Sequence, residues 1–214
     1  MIIEIFGLPG AGKTTVVDGL RRVSPSIPLI QTPIPSGLLT AWSILILCSK
    51  VALLHPLSLI RLGIRGDGRW LLAKLGYRMA GRWSQAKRGI VVDSGVLQPL
   101  LSYAAEDAAE AADVQDVLAL LDILPLPHAI LYVDVPAQVA YERYLFRQAI
   151  EGVRSGVSVS LPKYVHAQMV SNAIVGSLGS LKILRVMNVS VQQDHELLAM
   201  SQQLFDWVEE GRNK

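Results

Sequence analysis

Apolar residues in this chain fall into short runs separated by longer stretches of helical spacing. Residues 2–6 are apolar except for Glu4, while Ile90-Val91-Val92 and Ala129-Ile130-Leu131-Tyr132-Val133 each end in an aspartate, Asp93 and Asp134, and lead into a helical pattern. Leu181 to Val186 is a fourth run, and Leu29 to Thr32, set among prolines, is a fifth. Runs of this length between turn residues predict buried strands. Helical spacing follows over Thr14 to Leu20 and near 96–105, 111–124, 136–152, 163–178 and 192–210. The alternation predicts a three-layer α/β/α sandwich, with a mostly parallel five-stranded sheet covered on both faces.

Residues 33–88 stand apart. Residues 38–60 carry one charged side chain, Lys50, whereas 61–88 carry eight basic ones (Arg61, Arg65, Arg69, Lys74, Arg78, Arg82, Lys87, Arg88) against Asp67 alone. The stretch reads as a helical insertion in which Gly63, Gly66 and Gly68 argue against one continuous helix. Leu38 to Leu54 is almost a membrane span, but Lys50 interrupts it and Pro56 closes it short of the about twenty residues a span needs. Arg61, Arg65 and Arg69 recur every four residues, as do Lys74, Arg78 and Arg82, so each trio forms one stripe if its segment is helical. Two readings stay open. The segment is either an acceptor wall or anionic-surface contact, or it is core or a homodimer contact with arginines solvating the rim.

Length and composition bound the rest. With 214 residues, 51% hydrophobic, the chain is expected to form one domain over 1–214. A net charge of +2 gives no reason to expect specific nucleic-acid binding. The single cysteine, Cys48, lies in an apolar run and cannot form an intrachain disulfide, which fits a reducing cytoplasmic setting. Met1 to Phe6 has neither a basic leader nor a small-residue cleavage site, so no secretory signal is expected. The four histidines show no metal-ligand spacing.

Gly7-Leu8-Pro9-Gly10-Ala11-Gly12-Lys13-Thr14 matches the eight-residue P-loop pattern at every fixed position and lies between a predicted strand and a predicted helix. Backbone N–H groups can cradle phosphate only where no side chain intrudes, and the helix N-terminus behind them adds a favourable dipole. Gly7, Pro9, Gly10, Ala11, Gly12, Lys13, Thr14 and Thr15 are therefore the expected nucleotide-binding residues. Lys13 is placed to reach the β- and γ-phosphates, Thr14 to offer its hydroxyl to Mg2+, and Thr15 to approach the α-phosphate. The glycine spacing is not that of a dinucleotide fold, so NAD is not expected.

These residues resemble the P-loop nucleoside and nucleotide kinases, closest in style to thymidylate-kinase-like proteins. Three pieces carry the likeness: the loop Gly7 to Thr15, Ile90-Val91-Val92-Asp93-Ser94-Gly95, and Leu131-Tyr132-Val133-Asp134-Val135-Pro136 running into Ala140 to Arg147. The resemblance implies a P-loop NTPase fold, ATP and Mg2+ as cofactors, and γ-phosphoryl transfer to a nucleotide, nucleoside or other hydroxyl compound. It further implies that Asp93 partners the metal or orients the acceptor, that 33–88 houses the acceptor site, and that about 140–163 is a lid. Arg143 and Arg147 match the lid arginines, and the backbone near Asn188 to Val191 the adenine contact. Thymidylate kinases commonly place arginine after the aspartate, and here Ser94 follows, which removes one acceptor-phosphate contact. Asp134 reads instead as a helix cap or a strand-end ion-pair residue. No Asn-Lys-x-Asp guanine motif follows Asn188, so ATP is preferred over GTP. The competing reading is an ATP-binding protein that transfers nothing and sits at a membrane surface.

Overall fold

A computed structural model describes residues 2–23, 29–30, 36–64, 66–85, 90–92, 95–105, 114–151, 159–187, 199 and 202–207. The first strand, β1 (Ile2–Gly7), leads through the glycine loop into α1 (Lys13–Val23), and β2 (Leu29–Ile30) follows. Three helices then stand together, α2 (Gly37–Leu54), α3 (Pro56–Ile64) and α4 (Gly66–Gln85), before β3 (Ile90–Val92) and α5 (Gln98–Ala105). The second half runs α6 (Val114–Leu121), β4 (Ala129–Asp134), α7 (Ala137–Glu151), α8 (Leu161–Ser177) and β5 (Lys182–Met187).

The strands form one sheet in the order β2-β3-β1-β4-β5, parallel at every pairing. Three of them, β1, β4 and β5, are six residues long, while β2 and β3 are shorter. Because β1 sits at the centre, its residues are buried throughout. That explains the near-continuous apolar runs at β1 and β4, since a parallel strand has no solvent face to alternate with. Phe6 and Tyr132 pair in register across β1 and β4, with ring centroids 5.7 Å apart.

The fold expected from the sequence, a parallel sheet between helical layers with a helical insertion after α1, is the fold observed. Its boundaries moved slightly. The first helix begins at Lys13 and not Thr14, and the helix expected over 163–178 begins at Leu161 behind its Ser160 cap. Within the insertion the described helices are α3, which runs to Ile64, and α4, which runs from Gly66. Arg65, the middle of the first trio, lies outside the described residues, whereas Lys74, Arg78 and Arg82 lie on one helix.

Helix α2 is capped by Ser36, whose Oγ accepts from the Leu39 amide at 3.3 Å, and it stops at His55 before Pro56. By length and composition it is the one helix among the described residues apolar enough to cross a membrane, with a mean hydropathy of 1.9. Only Ser43, Leu47 and Val51 of its 18 residues are buried. The four-residue spacing of those three gives the face that packs on α4.

Candidate active site

The glycine loop leaves the carboxyl end of the central strand, the edge of an open parallel sheet where ligands bind. Its shape follows from its glycines. Gly10 and Gly12 hold φ values of +81° and +94°, a left-handed backbone that side-chain-bearing residues rarely adopt. A Cβ on Gly10 would also meet the carbonyl oxygen of Ala140 and lie 3.1 Å from the Tyr144 amide nitrogen, so the loop lies directly on α7. The Ala11 amide closes a turn on the Leu8 carbonyl at 3.0 Å, and the first bond of α1 runs from the Val16 amide to Gly12 at 3.1 Å.

Lys13 is half-buried and bends back across the loop, its Nζ donating to the carbonyls of Gly7 at 2.9 Å and Leu8 at 3.0 Å. Thr14 and Thr15, in the first turn of α1, are exposed. The structure thus gathers Gly7, Pro9, Gly10, Ala11, Gly12, Lys13, Thr14 and Thr15 into one loop and helix start. A polyphosphate fits this set, because left-handed glycines turn consecutive amides inward and the α1 N-terminus and Lys13 supply positive charge. The exposed hydroxyl of Thr14 beside Lys13 suits a hard cation such as Mg2+.

Arg143 and Arg147 belong to this neighbourhood through α7. Ala140, Arg143, Tyr144 and Arg147 are spaced i, i+3, i+4 and i+7, one helix face, and the backbone of Ala140 and Tyr144 on that face is what Gly10 touches. Arg143 is half-buried and Arg147 exposed. Helix α7 is held firmly at its start. Gln168 of α8 accepts from the Ala137 amide at 3.0 Å and donates to the Val135 carbonyl at 3.2 Å. Tyr141 and Tyr144 pack on Tyr164 of α8, at centroid distances of 5.4 Å and 5.9 Å.

Asp93, Ser94 and Asn188 to Val191 lie outside the described residues, as do 152–158 of the expected lid. At the end of β3 the structure does place a residue that sequence reasoning passed over. Glu4, 1% exposed on β1, pairs with Val92 and accepts from the amides of Val96, Leu97 and Gln98 at 3.1, 2.8 and 3.2 Å. Its carboxylate occupies the space that a Cβ on Gly95 would need. A carboxylate at the N-terminus of α5 satisfies amides the helix itself leaves without partners, and here it fixes the turn after β3. The signal was in the sequence, as the only charged residue in an apolar strand.

Asp134, at the end of β4, lies 3.8 Å from Arg185 of β5. Burial pushes the Tyr164 hydroxyl above the usual phenol range, with the neighbouring Tyr144 and Tyr141 acting in the same direction. Burial also raises the Tyr132 hydroxyl, although the hydrogen bond from Ser171 at 3.0 Å works against it.

A cavity of about 870 Å³ lies elsewhere, bordered by His55, Ser58, Asp116, Asp122 and Leu178. Its walls come from the α2–α3 junction, from α6 and the turn leading into β4, and from the end of α8 before β5, so it lies toward the amino edge of the sheet. It is not the phosphate site.

Loop, sheet order and the α7 contact together define a P-loop kinase-type α/β fold. No protein-family model and no curated protein matches the sequence. Solved structures do match the fold: deoxyadenosine kinase from M. mycoides with bound dATP superposes with a TM-score of 0.58 at 14% identity, covering 95% of this chain and 99% of that one. The same enzyme with products dcmp and a flexible dcdp bound gives 0.54 at 14% identity, covering 97% and 100%. With bound dCTP it gives 0.51 at 14% identity, covering 96% and 100%. The chain therefore has the fold of the P-loop nucleoside kinases over nearly its whole length.

Proposed function

We propose that this chain is an ATP-dependent phosphotransferase that moves the γ-phosphoryl group of ATP to a hydroxyl of a nucleoside. The observation that carries the proposal is the junction of Gly10 with Ala140 and Tyr144, which sets a phosphate-binding loop against a helix face bearing Arg143 and Arg147. A loop alone fits any P-loop NTPase, whereas arginines poised beside it suit transfer of a charged group. Full-length likeness to nucleoside kinases favours a nucleoside among the possible hydroxyl acceptors.

In the reaction the acceptor oxygen forms a bond to the γ-phosphorus as the bond to the bridging oxygen of ADP breaks, and the acceptor proton passes to a base or water. Charge spreads over the three equatorial oxygens. Loop amides and Lys13 hold the phosphates in line, and Lys13 exchanges its two loop carbonyls for phosphate oxygens as nucleotide enters. Arg143 and Arg147 stabilise the spreading charge more than they stabilise the bound substrate, which is what accelerates the step. Thr14 would hold the Mg2+ that accompanies ATP, an ion that would supply neutralisation of the phosphate charge, and Asp93 is assigned as a second partner of the metal or as the group that orients the acceptor. Residues 33–88 form the acceptor side and about 140–163 the lid of a single domain.

ADP release from ATP and Mg2+ across a panel of deoxynucleosides, nucleosides and nucleoside monophosphates tests the reading. A deoxynucleoside or nucleoside should give acceptor-dependent turnover, reduced about 10²- to 10³-fold by Lys13→Ala. Turnover of equal size in that variant would remove Lys13 from the mechanism. ATP binding without turnover for any acceptor would favour the non-transferring reading.

A further inference from the structure

Helices α2 and α3 carry an apolar surface that nothing in the described fold covers. Leu38, Trp42, Leu45, Ser49 and Ala52, spaced four and three apart, run along α2 opposite its buried Ser43, Leu47 and Val51, and all five are exposed. The large ones are well out in solvent, with Leu38 78% and Trp42 60% exposed. Leu53, 81% exposed, and Leu57 of α3, 67% exposed, extend the surface, and Trp70 stands exposed near the start of α4. Solvated helix faces are normally polar, so this many large apolar side chains on two consecutive helices mark a face that meets something.

Charge identifies the partner. Residues 36–85 contain seven of the 20 basic residues and one of the 18 acidic ones, leaving 13 basic against 17 acidic in the remainder. Helices α2 and α3 have no acidic residue at all. Lys50 and Arg69 are exposed, and the Lys74 ammonium sits 4.0 Å from the centroid of the Trp70 ring. We propose that the α2–α3 face docks on an anionic lipid surface. Helix α2 lies in the plane of the headgroups, Trp42 and Leu45 reach the acyl boundary, and Lys50 and Arg69 meet lipid phosphates. Tryptophan favours that boundary, and basic residues on an apolar helix favour anionic lipid.

A second copy of the chain is disfavoured as the partner, because two-fold pairing would press two strongly basic units together. A transmembrane span is disfavoured as well, because α2 already commits Leu47 and Val51 to the protein interior.

Co-sedimentation of the full chain with phosphatidylserine-containing and pure phosphatidylcholine vesicles tests the proposal, with size measured in parallel by sedimentation velocity. Binding should be at least about tenfold stronger on the anionic vesicles and fall as salt screens the charges. Tryptophan emission should shift to the blue on binding. Leu45→Glu and Lys50→Glu should each weaken binding about tenfold with circular dichroism unchanged, and Lys13→Ala should bind vesicles like the wild type, which separates docking from catalysis. Three results overturn the proposal: equal or absent binding to both vesicles, a dimer that Leu45→Glu dissociates while vesicle binding persists, or membrane association that resists both high salt and carbonate.

Discussion

Gly10 shows how one residue carries both the shape of a site and its link to a second element. Its left-handed backbone and its contact with the Ala140 carbonyl each exclude a side chain. Gly10→Ala should weaken ATP binding at least about tenfold, because a left-handed conformation costs a residue with a Cβ roughly 1–2 kcal/mol even before the clash with α7. Equilibrium titration with a fluorescent ATP analogue checks this. Tyr164 makes a different prediction. Its hydroxyl is buried with no hydrogen-bond partner among the described residues, and its pKa is raised in the folded state. The folded protein therefore keeps the proton that the unfolded chain loses near about pH 10. Stability from this group is whole below that pH and drains away as pH rises toward the folded value. Thermal melts should fall in Tm above about pH 10, and Tyr164→Phe should flatten that fall while costing little stability at neutral pH, since the lost hydroxyl had no partner. At this scale the shape of the glycine loop was legible, because Gly10 and Gly12 stand where the backbone takes a left-handed conformation. Glu4 stood out as a charge in an apolar strand, but its role was not legible, because that role rests on amides more than ninety positions away in the chain.

Among elements, those with a strict period were read well and those decided by contacts were not. Strands β1 and β4 announced themselves as apolar runs because both faces are buried. The orientation of α2 was out of reach, since apolar residues surround the helix and only its packing on α4 selects the inward stripe. Likewise the nearness of α7 to the glycine loop is set by Gln168 and by tyrosine packing on α8, long-range contacts without a local signal. Helix α5 is positioned by Glu4, so Glu4→Gln, which halves the acceptor oxygens and faces amide donors with another donor, should cost about 1–3 kcal/mol. Urea unfolding measures that loss. A change within error of zero would mean that the Glu4 carboxylate does not anchor the turn.

For the whole molecule, the sheet order places the phosphate loop at the centre of the carboxyl edge and the three-helix insertion after the first α/β unit, an arrangement that suits one nucleotide site and one acceptor region. The acceptor side stayed less legible than the nucleotide side. Phosphate imposes the same demands on every loop that binds it, while an acceptor pocket is specified by side chains from several elements. Isothermal titration of the purified chain with ATP, performed with Mg2+ and with Mg2+ chelated, decides whether the glycine loop is a nucleotide site. A nucleotide site at the glycine loop should bind one ATP per chain, with an affinity that depends on Mg2+ and falls at least about tenfold in Lys13→Ala. Absence of heat with the wild type, or equal affinity in the variant, would contradict it.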